Sequence, residues 1–148
     1  MSETLKIFLT SAVTVIGGAI LLVFGQIATK LFIDPMLDIR KTIGQIAFNL
    51  VYHANVIHNA PVTNPNDLDK ARDVYRVLSS RLRSTANTLP CYLLFSLLHF
   101  VPKKAKLVEA SQYLIRLANT NKTSTYVQVK ENSQTLCRLL DIEQALMD

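Results

Sequence analysis

The sequence predicts an all-α protein: a single N-terminal transmembrane helix followed by a small cytoplasmic helical bundle. Three observations carry this expectation. Residues Ile7 to Thr29, reading IFLTSAVTVIGGAILLVFGQIAT, contain no ionisable side chain. Beyond them apolar residues recur at helical spacing, and no stretch alternates as a strand would. The connections between these stretches are short and favour antiparallel neighbours in a bundle.

The first element is the most sharply defined. About 23 residues rise roughly 34 Å as a helix, enough for a hydrocarbon core of roughly 30 Å. A removable signal peptide has a shorter apolar core, roughly 7–15 residues, and ends at small residues. Here the run leads into Thr29-Lys30-Leu31-Phe32. The expected division is an anchor over 1–33 and a bundle over 34–148. One base, Lys6, precedes the run, whereas Lys30, Arg40 and Lys41 follow it. The positive-inside rule then leaves the bundle in the cytoplasm, and a bacterial inner membrane is the expected setting.

Within the run, Ser11, Thr14, Gly18, Leu21, Gly25 and Ala28 share one seam, and all but Leu21 are small. Helices in lipid associate through close backbone approach and hydrogen bonds, which small residues permit. Gln26 adds an amide that a neighbouring chain could satisfy. A self-associating anchor is expected, although Gly and Ser are also simply common in transmembrane helices.

Asp34-Pro35 is expected to break or kink the chain as it leaves the membrane. A second helix follows from about Met36 to His58, with Ile39, Ile43, Ile46, Leu50, Ala54 and Ile57 on one face. The stretch Asn59 to Asn66, rich in Pro and Asn, is a loop. Asn66 or Asp67 is expected to cap a third helix reaching about Thr88. Its apolar face is Leu68, Ala71, Tyr75, Leu78, Leu82, Thr85 and Leu89. Cys91 to Val101 is apolar and bracketed by prolines, too short to span a bilayer. It reads either as a buried core helix or, with Lys103, Lys104 and Lys106 following, as a segment lying on an anionic leaflet. A fifth helix is expected from Lys103 to about Asn119, with Leu107, Ala110, Leu114 and Leu117 inward. After a turn through Thr120-Asn121-Lys122, a last helix from about Ser124 to Met147 should bury Tyr126, Val129, Leu136, Leu140 and Met147.

Composition narrows the function classes. Two cysteines, Cys91 and Cys137, suit neither a disulfide framework nor a cysteine metal site, and read as small buried residues in a reducing compartment. Three of the four glycines lie in the anchor, so no phosphate loop exists. His53 and His58 are turned about 140° apart on a helix and cannot share a metal. His99 stands alone, as a core or membrane-interface histidine. Asp69 and Asp73 each precede an arginine by three positions, and read as ion pairs rather than acid–base machinery. Neither enzymatic activity nor a cofactor or metal is expected.

The bases are unevenly placed. Eight of the 16 Lys and Arg residues lie between Lys70 and Lys106, with Asp73 the only acid among them. Arg72, Arg76 and Arg83 fall within about 40° of one another on the third helix. Lys103, Lys104 and Lys106 crowd the first turn of the fifth, where the macrodipole disfavours them unless an anion is present. These six are the candidate anionic-ligand residues; acidic lipid headgroups, or a merely soluble face, are the alternatives. No aromatic residues interleave with them, which argues against single-stranded nucleic acid, and no duplex is expected.

No segment matches a family motif. The general plan resembles that of small bacterial membrane effectors in antiphage defence, which join one anchor, a compact cytoplasmic domain and a nucleotide trigger. That likeness is architectural and carries no residue. The expectation is a membrane-anchored, homo-oligomeric sensor or effector that binds an anionic ligand such as a cyclic oligonucleotide. The alternative is a non-catalytic assembly or scaffolding subunit of a membrane complex, partnered by another membrane protein and by the bilayer.

Overall fold

A helix apolar on every side has no preferred face to bury, and α1 (Glu3–Ala28) buries no residue at all. The computed structural model describes residues 3–90, 92–121 and 123–142, and among them all regular structure is helical. The expected break at Asp34-Pro35 is absent. α1 continues through a π-turn (Thr29–Ile33) into α2 (Asp34–Tyr52), giving one helix of 50 residues from Glu3 to Tyr52. At 1.5 Å per residue this is about 75 Å long. Proline breaks a helix because it lacks a donor and crowds the carbonyl four residues back. Here the helix is widened just before it: the Asp34 amide reaches the Thr29 carbonyl, five residues back, and Pro35 sits in the first turn of α2. Pro35 lacks an amide and gives up one ladder bond, which the π-turn accommodates without ending the helix.

From α2 onward the amphipathic faces meet. α3 (Ala54–His58) extends the second helix to the expected endpoint after a single interruption at His53. α4 (Pro65–Thr88) is the central element. Its cap is Asn64, whose side chain accepts from the Asn66 amide at 3.0 Å, rather than Asn66 or Asp67. Pro65 decides the matter, because it occupies the first helical position and pushes the cap one residue back.

The α4 stripe Leu68, Ala71, Tyr75, Leu78, Leu82 and Ala86 is buried throughout. It packs against Ile39, Ile46 and Leu50 of α2 on one side. On the other lie Leu107, Ala110, Leu114 and Leu117 of α6 (Lys104–Ala118). α7 (Tyr126–Leu140) closes the bundle with Val129, Leu136, Cys137 and Leu140. Polar contacts fix the register. The Tyr75 hydroxyl donates to the Asn49 carbonyl at 3.1 Å and Arg81 to Gln45 at 3.3 Å, so α4 runs antiparallel to α2. The buried Ser79 hydroxyl donates to the Ser111 carbonyl at 2.8 Å, and Arg72 reaches Thr120, so α6 runs antiparallel to α4.

Three expectations need correction. Tyr126 is half exposed, because it opens α7 and leans on His58 at 5.3 Å instead of entering the core. α7 is capped by a Thr125–Gln128 capping box and ends at Leu140, with Asp141 in the left-handed region. Lastly, the apolar run before Pro102 is not a buried core helix. It forms α5 (Tyr92–Leu97) and a turn, with Leu93, Leu97, Leu98 and Phe100 all exposed. Cys91, Lys122 and Met147 lie outside the described residues.

Candidate functional site

The six candidate bases do not converge. Arg72 is three-quarters buried, its side chain 23% exposed; its Nε donates to the Thr120 carbonyl at 2.7 Å, and its Nη2 donates to the same oxygen. Its third contact is Asp69 at 2.8 Å. The guanidinium thus satisfies a carbonyl at the C-terminal end of α6, where positive charge is favoured. Arg76 pairs with Asp73 at 3.3 Å, as the three-residue spacing suggests. Arg83 is exposed, about 16 Å along α4 from Arg72 by helical rise. The antiparallel register puts Lys104 and Lys106, in the first turn of α6, at the opposite end of α4 from Arg72. Lys103 is the cap residue of α6, with Lys104 beside it; both are exposed and have no ion-pair partner among the described residues. Lys106 lies 3.9 Å from Asp141.

The anchor seam behaves differently. Ser11, Thr14, Gly18, Gly25 and Ala28 are exposed on α1, and a Cβ added at Gly18 or Gly25 would meet nothing within 4 Å. Thr14 returns its hydroxyl to the Thr10 carbonyl at 2.9 Å. The bundle face Leu68-Tyr75-Leu78-Leu82, by contrast, is consumed inside this chain and offers nothing to a second copy.

The feature that the sequence left open between a core helix and a segment on an anionic leaflet is the elbow formed by α5 and the turn after it. Two contacts tie it to the long helix. The Phe95 ring lies 6.0 Å from that of Phe32, and Arg40 donates through Nε to the Phe100 carbonyl at 3.1 Å. Its base is closed by the Tyr92 hydroxyl, which donates to the Pro102 carbonyl at 2.5 Å. Burial raises the Tyr92 phenol to about 12, so it remains a donor across the ordinary pH range. The turn is a Schellman motif: His99 donates to Ser96 at 3.2 Å and Phe100 to Phe95 at 3.0 Å. His99 holds the left-handed position at φ 60° and is exposed, so it is not a core histidine. With the start of α6 the elbow forms an open groove of about 550 Å³, walled by Leu93 and Leu97 and rimmed by His99, Lys103 and Lys104.

Titratable groups elsewhere are explained by packing. Burial pushes His53 below its usual value; burial, then Lys130, does the same to His58. Burial raises the Tyr75 phenol and the Cys137 thiol. Among the described residues no three His, Cys, Asp or Glu side chains are grouped to hold a metal ion. No buried side-chain nitrogen or oxygen there lacks a partner.

α1 is long and apolar enough to cross a membrane, as a membrane span or a signal sequence would be. No protein-family model, curated protein or solved structure matches this chain.

Proposed function

We propose that the protein is a single-span membrane protein whose helical domain, on the cytoplasmic side of a bacterial inner membrane, is a non-catalytic assembly module. The observation that carries this reading is the unbroken helix from Glu3 to Tyr52. Its first half is uncharged from Ile7 to Thr29 and buries nothing, which suits lipid. Its second half supplies Ile39, Ile46 and Leu50 to the core of the domain. A change in how anchors pack in the bilayer would therefore reach the domain as rotation or tilt of one rigid rod. The seam Ser11, Thr14, Gly18, Gly25 and Ala28 is the proposed contact between anchors of neighbouring copies.

A second reading, an anionic soluble ligand of the cyclic-oligonucleotide kind, draws on Lys103 and Lys104 beside the elbow groove. Arg72 is already committed to Thr120 and Asp69, which weakens the wider six-residue version.

The test of the anchor is Ala19→Arg, placed mid-run. It should cost roughly 2.5–3.5 kcal/mol of insertion and move the protein out of the carbonate-resistant membrane fraction. A variant that stays carbonate-resistant would overturn the assignment of α1 as the anchor.

A further inference from the structure

The elbow exposes the wrong residues for a surface in water. Leu93 is 87% and Leu97 is 77% exposed, four positions apart on one face of α5, and Leu98 and Phe100 follow. Among the described residues, a second such group, Phe48, Val51 and Tyr52, sits at the end of α2, more than about 25 Å by helical rise from the uncharged run, whereas the elbow lies beside the start of α2. Arg40, Tyr92 and Phe95 fasten the segment through the backbone and the long helix, so its exposure is built into the fold.

Its position says what it meets. Phe95 touches Phe32, three residues past the end of the uncharged run, about 4–5 Å by helical rise. The headgroup layer on each side of a bilayer is about 5–8 Å deep, so this contact falls within it. Charge agrees. No acid occurs between Asp73 and Glu109, and Lys103 and Lys104 rim the groove whose wall is Leu93 and Leu97. An apolar wall beneath a lysine rim matches an anionic lipid, acyl chain below and phosphate above.

We propose that the α5 end of the elbow is a second membrane contact in the leaflet that α1 leaves, with Leu93 and Leu97 at the boundary of headgroups and acyl chains and Lys103 and Lys104 on anionic headgroups. This rests on reading α1 as a membrane span. The long helix and the elbow then grip the same leaflet at two points, which fixes the tilt of the domain on the membrane. Neither grip needs a soluble ligand.

The chain contains no tryptophan, so single substitutions report one site each. The full-length protein is reconstituted in vesicles of equimolar phosphatidylcholine and phosphatidylglycerol carrying lipids brominated along the acyl chain. Leu97→Trp should emit at shorter wavelength than in water and be quenched, most strongly by bromines near the headgroup. Phe24→Trp in α1 should be quenched most by deep bromines. Val62→Trp, exposed in the loop between α3 and α4, should not be quenched. Adding Lys103→Glu and Lys104→Glu should weaken the quenching of Leu97→Trp, since each base near an anionic surface shifts partitioning about fivefold.

If Leu97→Trp behaves like Val62→Trp while Phe24→Trp is quenched, the elbow proposal is wrong and the anchor survives. If Phe24→Trp is itself unquenched, both fall together. Quenching indifferent to the charge reversal would overturn the role given to the lysines.

Discussion

α4 and the elbow are both rich in leucine, yet one is spent inside the protein and the other outside it. In α4 apolar residues recur every three or four positions, charged residues fill the remaining face, and Leu68, Leu78 and Leu82 are buried. Around α5 they are nearly continuous, and Leu93, Leu97 and Leu98 point away from the core. Periodicity, not hydrophobicity, decides which helix the bundle absorbs. An amphipathic stripe can bury all of its apolar side at once, whereas a helix apolar all round leaves part of itself uncovered unless it is enclosed.

The comparison can be broken most forcefully by making the same substitution in both regions. Leu82→Ala removes a fully buried side chain between α2 and α6, and should cost about 2–5 kcal/mol in urea unfolding of the domain. Leu97→Ala removes an exposed one and should change stability by no more than about 0.5 kcal/mol. Equal losses would mean that the elbow is packed after all.

A smaller effect sharpens the contrast among the bases. Arg72→Gln deletes hydrogen bonds from a charged group to Thr120 and Asp69, and should destabilise the domain by about 1.5–3 kcal/mol. Arg83→Gln, exposed on the same helix face, should be neutral to within about 0.5 kcal/mol. Thermal unfolding of the two variants distinguishes a latch from a surface charge. If both are silent, the Arg72–Thr120 contact contributes nothing to holding α4 on α6.

These contrasts show how much could be read from the sequence. The inward faces of α2, α4 and α6 follow from spacing alone, and the ion pairs Asp69–Arg72 and Asp73–Arg76 follow from three-residue offsets. The continuity through Pro35 was not legible, because a π-turn is a choice between backbone partners one residue apart. Asn64 as the α4 cap could have been inferred from Pro65, which fixes the first helical position. The role of Arg72 could not, since its partner Thr120 is 48 residues away. The choice between the two readings of the elbow was undecided for a related reason. A short apolar run has no period of its own, and its exposure depends on Phe32 and Arg40 holding it against the long helix rather than within the bundle.

The central claim is that the exposed apolar residues of α1 and of the elbow meet the acyl chains of one membrane. Lipids carrying a photoactivatable diazirine in the acyl chain, added to membranes holding the full-length protein, test both regions in one measurement. Peptide mapping should find lipid adducts across Ile7–Thr29 and at Leu93, Leu97 or Leu98, and none on α4, even at its exposed Val77. Adducts on α4 as frequent as those on the elbow, or none on α1, would contradict the account.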